Sequence, residues 1–386
     1  MQPDELGSYN LLPPILLMCL LFAVMLTVTP APTGPVYLLI SLIYVLLSIV
    51  FITDTDRIIV ANRRYTGVFF IFLVVVFLRT ALEPTTSDVT RLGALLVFTI
   101  SNIFILPKVV SFHEFITVSS ISAMIVVLVG YFPFLGLPVE IGFFELTTWR
   151  RSIINSKIPV VTSIFIKPNH LGFISLLGIF TSAVSWGRRK DNIYSIPLVV
   201  NFMGFAMTDY RAGWFGLMAA IGLYIVYSKI GRTAGVFATV GGLTACVLGV
   251  MVLLDLIPIP IPEILSTPRG ELWLTNIEFL KQKWIFGYNF SGVPINPHNS
   301  YIRMFVAFGV VGGLLYLYLV LETAISSARQ VTSNSKLILS ILLVSFAIIQ
   351  IFNQLTFIGI SMRSTIIAIA MGYYITLDEV ISPTTD

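Results

Sequence analysis

The chain has 386 residues, of which 56% are apolar and only 11% charged, less than half the charged share of an ordinary soluble domain. So much apolar side chain cannot be hidden inside one aqueous core, which excludes a soluble enzyme or binding module and points to a polytopic membrane protein. The formal charge is +4, but the 23 Lys and Arg are scattered in ones, twos and threes between apolar runs, the pattern of membrane topology and not of a nucleic-acid surface.

The first segment, MQPDELGSYN, carries no basic residue, and the apolar run behind it has no small-residue cleavage site, so it reads as leading into an uncleaved first span. A helical crossing needs roughly 20 residues. Apolar runs of suitable length lie near 11–28, 35–52, 66–82, 92–107, 115–137, 168–186, 194–208, 212–228, 234–254, 299–321, 337–355 and 361–377. They predict an all-α polytopic membrane protein of about 12 transmembrane helices. The whole of 1–386 is expected to form a single integral membrane domain, with a large extracytoplasmic loop, 255–298, between the ninth and tenth spans. Both cysteines, Cys19 and Cys246, fall inside apolar runs and read as small packing residues.

An even number of crossings returns both termini to one side. Arg57, Arg63, Arg64, Lys108, Arg188, Arg189, Lys190, Lys229, Arg232, Arg329 and Lys336 occupy alternate connections, and the positive-inside tendency makes that side cytoplasmic. The opposite connections should then be poor in basic residues. They instead hold Arg79, Arg91, Arg150, Arg151, Lys157, Lys167, Arg211, Arg269, Lys281, Lys283 and Arg363. A basic outer surface reads most simply as a place where an anion is held, although two long loops account for part of the excess.

In SIFIKPNHLGF, residues Pro168, Asn169 and His170 open a span, and Asn169 reads first as a helix cap. In TDYRAGWFG, Arg211 lies two residues after Asp209 at a membrane boundary, where an ionisable group is either snorkelling or functional. The loop 255–298 begins with Pro258, Pro260 and Pro262 in alternation, which favours an extended backbone. A helix is predicted behind it: Thr267 caps, Pro268 suits the first position, Trp273, Ile277, Leu280 and Trp284 recur at helical spacing, and Gly287 stops the run. This helix is expected to lie along the outer interface with its tryptophans among the headgroups, or else to pack over the bundle. Arg269 falls in its first turn, where outward N–H groups and the helix dipole favour a phosphate.

The loop closes with NPHNSYIRMF, which crowds His298, Asn299, Ser300 and Arg303 against the entry to the tenth span. A neutral imidazole there can accept a proton near pH 7, while Asn299 and Ser300 can cap the helix. Gly309, Gly312 and Gly313 in that span read as close-packing positions. Nothing in the chain has the spacing of a phosphate loop, a zinc site or a nucleophile elbow.

Four stretches in order, FIKPNHLG, TDYRAGWFG, TPRGELW with WIFGYNF, and PHNSYIRMFVAFGVVGGLL, resemble the O-antigen ligase and O-antigen polymerase family over residues 160–320. The resemblance implies a metal-independent, cofactor-free membrane glycosyltransferase. It would move a glycan from undecaprenyl pyrophosphate to an acceptor sugar hydroxyl, on a glycan or a lipid-anchored sugar, outside the cytoplasmic membrane. It implies that Arg211 and Arg269 hold the pyrophosphate and that His298 activates or orients the acceptor. Asn169, Asp209, Asn299, Tyr301, Arg150 and Arg151 stand as candidate substrate contacts, with membrane lipids as surroundings and no nucleic-acid partner. The Asp209–Tyr210 pair before Arg211 departs from the small or hydroxyl residues usual in the family. Two rivals come from other classes: a transporter of an anionic solute, and a non-catalytic membrane scaffold.

Overall fold

The computed structural model describes residues 11–53, 63–137, 139–142, 144–146, 148–151, 159–189, 193, 195–253 and 268–380. Each of the twelve apolar runs falls on a helix, the arrangement that satisfies backbone N–H and C=O groups within their own segment. The helices are α1 (Leu12–Leu26), α2 (Thr33–Thr53), α3 (Arg63–Leu82), α4 (Thr86–Val109), α5 (Phe112–Phe134), α6 (Pro168–Arg189), α7 (Ser195–Ala206), α8 (Arg211–Lys229), α9 (Arg232–Leu253), α10 (Pro268–Gln282), α11 (Ser300–Arg329), α12 (Asn334–Phe352) and α13 (Met362–Val380). Among the described residues, six of them, α2 to α5, α11 and α12, are long and apolar enough to cross a membrane. The protein is therefore a helical membrane protein.

Two short antiparallel hairpins interrupt the helical pattern. Strands β1 (Val139–Ile141) and β2 (Phe144–Leu146) pair, with Gly142 at φ 60 directly after β1, and β3 (Thr148–Arg151) pairs with β4 (Pro159–Val161). The left-handed turn residue and the alternation in VEI and FEL give the hairpin its local logic. That alternation is too short to stand out beside the long apolar runs.

The chain gathers into two compact units. Unit 1 comprises Met1–Ile59 with Phe104–Tyr210, and unit 2 comprises Val60–Ile103 with Arg211–Asp386, so one boundary falls inside α4 and another just before α8. In unit 1, α6 and α7 approach so closely that a Cβ on Gly178 would lie 2.4 Å from the Asn201 side chain, and Ser120 and Ser182 hydrogen-bond between α5 and α6 at 2.6 Å. In unit 2, the core is aromatic: Phe72 of α3 meets Phe308 of α11 edge-on at 6.1 Å, and Tyr316 stacks on Phe357 at 4.9 Å. Such contacts supply the packing that the hydrophobic effect cannot provide between helices in lipid.

Helix α10 starts at Pro268 as expected but ends at Gln282, ahead of Gly287. The prolines at 258, 260 and 262 and the cap at Thr267 lie outside the described residues. The tryptophan expectation is corrected on one count. Trp273 is 1% exposed, packs on Ile351 and donates from Nε1 to Pro297 O at 2.8 Å, so it anchors α10 onto the bundle, whereas Trp284 is exposed.

Candidate active site

The last turn of α12 organises one end of unit 2. Ile351 packs against Trp273 of α10, Phe352 stacks on Phe215 of α8 at 4.9 Å, and the carbonyl of Asn353 accepts a 2.9 Å hydrogen bond from Ser300 Oγ of α11. Three helices therefore meet three consecutive residues through their first two turns. Each of those N-termini carries partial positive charge from the N–H groups of its first turn. Arg211 is the first residue of α8 and Arg269 the second of α10, and both stand where the dipole disfavours a cation. An arginine at the Arg211 position, placed against the dipole, reinforces the positive potential of that helix end, which suits an anionic ligand.

His298 is fixed on both flanks. Its N–H donates to Asn296 Oδ1 at 3.0 Å, the preceding carbonyl of Pro297 is held by Trp273, and the following Asn299 caps α11 by accepting from Ile302 N at 3.0 Å. The cost is a left-handed backbone, φ 51, at a non-glycine residue, a conformation that persists where surrounding contacts over-determine it and that clusters at functional sites. The imidazole itself is exposed. A side chain open to solvent on a backbone pinned from three directions is suited to proton transfer at a fixed point.

A polar relay continues from there. Oriented by its neighbours, the Gln354 carboxamide accepts from Arg303 Nη1 at 2.6 Å and Nε at 3.0 Å, and its nitrogen donates to Asn296 Oδ1 at 3.0 Å. Arg303, one turn into α11, is thereby tied to the residue that holds His298. Its Nη2 lies 3.5 Å from Phe290 O. A second set braces the segment before it. Buried Arg79 donates from Nε to Gly287 O at 3.1 Å and from Nη2 to Glu83 at 2.6 Å, and Lys283 lies 3.3 Å from the same carboxylate. Those hydrogen bonds, Arg79's first and then Lys283's, hold the exposed Glu83 carboxyl below its usual range. Asp88, 1% exposed, accepts from Ser291 N at 2.8 Å and Oγ at 2.6 Å.

Of the residues expected from sequence, Arg211, Arg269, His298, Asn299 and Tyr301 belong to unit 2, and Asn169, Asp209, Arg150 and Arg151 to unit 1. Arg211 is exposed at the start of α8. The side chains of Arg269, Arg150 and Arg151 lie outside the described residues. Asn299 is 1% exposed and Tyr301 donates to Ala347 O at 2.8 Å, so both polar groups are engaged within the fold and support the entry of α11. Asn169 stands exposed as the second residue of α6, inside the first turn and not at its cap. Asp209 adopts φ 50 in the turn after α7, and the buried Tyr210 beside it packs so near Gly172 that a Cβ there would lie 2.5 Å away.

Gln354 carries no local signal in the sequence, and Arg303 is one member of the polar crowd before α11. Their pairing spans 51 positions and has no local signature. The fold and this end of unit 2 define a helical membrane protein with a basic, helix-terminus-lined site. No protein-family model matches the chain, and no curated protein matches it.

Proposed function

We propose that the protein is a membrane glycosyltransferase that moves a glycan from undecaprenyl pyrophosphate to an acceptor sugar hydroxyl at the outer face of the cytoplasmic membrane, in the manner of O-antigen polymerases and ligases. The observation that carries this is the docking of the first two turns of α8, α10 and α11 on Ile351, Phe352 and Asn353, with Arg211 opening α8, Arg269 second in α10 and His298 just ahead of the Asn299 cap of α11. About 12 crossings with both termini cytoplasmic would put this end outside.

In the reaction, the acceptor oxygen attacks the anomeric carbon, the new C–O bond forms, and the bond to the pyrophosphate oxygen breaks. The electron pair leaves with undecaprenyl pyrophosphate. Arg211 and Arg269 stabilise that departing charge, and the His298 imidazole takes the hydroxyl proton. Because the leaving group is already good, alignment and charge stabilisation carry most of the task. Guanidinium groups suit it because they stay charged and offer a fork of donors.

A deletion strain complemented with wild type, His298→Ala or Arg211→Ala tests this through its glycan ladder. Wild type restores long glycan and the variants do not, with equal protein in the membrane. A single repeat on the acceptor marks lost polymerisation, and bare acceptor with accumulated lipid-linked polymer marks lost ligation. An unchanged ladder in the deletion strain would sink the proposal.

The break in α11 at Phe308 and Gly309 favours the transporter rival, since discontinuous helices line transport sites. However, the carbonyls before this break already accept Tyr288 N at 2.9 Å and Asn289 N at 2.8 Å, so they are not available to a solute. Uptake of an anionic solute into proteoliposomes would reverse the preference.

A further inference from the structure

Arg303 is half-buried at the first turn of α11, and among the described residues no carboxylate pairs with it. Its closest partners are neutral: the Gln354 carboxamide oxygen, at 2.6 and 3.0 Å, and the distant Phe290 carbonyl. The charged group that acts on it is another cation, the exposed Arg91 of α4. Removing a guanidinium from water beside a like charge is unfavourable unless an anion completes the arrangement. The nearby acid, Asp88, is engaged by Ser291 N and Oγ and by Thr85 Oγ1 at 2.7 Å, and its charge acts on Arg91 and not on Arg303, which among the described residues has no anion of its own. Gln354 accounts for two of the five guanidinium N–H donors and Phe290 for a third at most, so donors remain for a ligand. The same Gln354 holds Asn296, which holds the His298 backbone, so an anion on Arg303 would sit at a set position relative to the imidazole.

We propose that Arg303 and Arg91 together hold a phosphate group of a lipid-linked pyrophosphate, with Gln354 orienting the Arg303 fork. Naming that phosphate as part of the glycan donor rests on the glycosyl-transfer proposal above. Arg303 here is a binding residue, distinct from Arg211 and Arg269, and Gln354 is a positioning residue.

The test uses the full-length protein in lipid nanodiscs, with inorganic pyrophosphate as the probe and undecaprenyl pyrophosphate or phosphatidylglycerol as competitors. Wild type binds pyrophosphate, undecaprenyl pyrophosphate displaces it, and phosphatidylglycerol does not. Arg303→Gln weakens binding about tenfold or more, Arg303→Lys falls between, and Glu278→Gln, on the exposed face of α10, binds like wild type. Arg91→Gln, at an exposed position that does not threaten folding, also weakens binding, so the proposal stays testable if Arg303→Gln does not accumulate. Wild-type affinity in both Arg91→Gln and Arg303→Lys would overturn it, as would no pyrophosphate binding by wild type, or displacement by phosphatidylglycerol alone. Donor binding that depends on Arg303 in a protein without glycan transfer would leave this site standing and remove the transferase proposal instead.

Discussion

Gly309 of α11 lies against the backbone of Ile285: a Cβ built on the glycine would fall 1.9 Å from the Ile285 carbonyl oxygen. Around this contact the segment before α11 is laced to the helix it precedes. Val310 N donates to Trp284 O at 2.8 Å, and the carbonyls of Val306 and Ala307 accept from Tyr288 and Asn289. The helix opens at Phe308 and Gly309, and the groups that a break would orphan are met by a neighbouring chain segment. The glycine does two things at once: it provides φ 68, ψ −172, and it leaves room for a carbonyl.

Gly309→Ala is therefore expected to destabilise the protein by about 3 kcal/mol or more, since strain in a glycine-only region of the backbone adds to the clash. Gly241→Ala, inside α9 with nothing within 4 Å of its would-be Cβ, is the control and should be neutral or gain up to about 1 kcal/mol. Thermal unfolding in detergent reads both. Equal melting temperatures for the two variants would show that the break tolerates a side chain.

Trp273→Phe is expected to cost about 1–3 kcal/mol, because the Pro297 carbonyl loses its Nε1–H donor inside a buried contact. Pro297 precedes His298, so under the proposed function glycan transfer should fall further than the loss of folded protein explains. Parallel assays of melting temperature and glycan ladder check this, and a stability loss with unimpaired transfer would mean that the tryptophan does not set the position of the imidazole.

What could be read from the sequence follows physical range. Helix positions were legible because an apolar run near 20 residues is a local property, and α10 was legible from Pro268 and its spaced apolar residues. The start of α4 was missed by about six residues: Thr85 caps it by accepting from Asp88 N at 3.1 Å, and a hydropathy reading does not register a polar first turn. Gly309 was seen as a packing glycine, yet its need for positive φ comes from Ile285, a partner that only the folded chain reveals. The Arg303–Gln354–Asn296 relay was hidden for the same reason. Asn299 and Tyr301 stood out as polar residues at a membrane entrance, and only their partners, Ile302 N and Ala347 O, show them turned inward.

Glu83 supplies a pH-dependent contact. Its carboxyl is held below the usual range by Arg79 and Lys283, so its contribution is complete above the ordinary carboxylate value and is lost as pH falls through the lowered folded value. Glu83→Gln should lower the melting temperature slightly at pH 7. The gap between variant and wild type should close in acid. The effect is small because the carboxylate is exposed, and salt should shrink it. A gap that widens on acidification would assign the wrong sign to this pair.

The two ends of unit 2 differ in a way that fixes a topology test. Away from the candidate site, Arg64 lies 5.8 Å from the Tyr318 ring, Arg232 donates to the Arg329 carbonyl, and Tyr227 donates to Ala328 O at 2.9 Å. This end therefore gathers Arg64, Arg232 and Arg329, part of the cluster that the positive-inside tendency places in the cytoplasm. Arg79, Arg91, Arg303 and Lys283 collect instead beside the loop that carries His298. With Cys19 and Cys246 replaced by Ala, single cysteines at Glu83→Cys and Pro294→Cys should react with a membrane-impermeant maleimide in intact cells. Asn334→Cys, at the start of α12, should react only after permeabilisation. The opposite labelling would put the imidazole and its arginines on the cytoplasmic side, where a lipid-linked glycan already carried outward could not reach them.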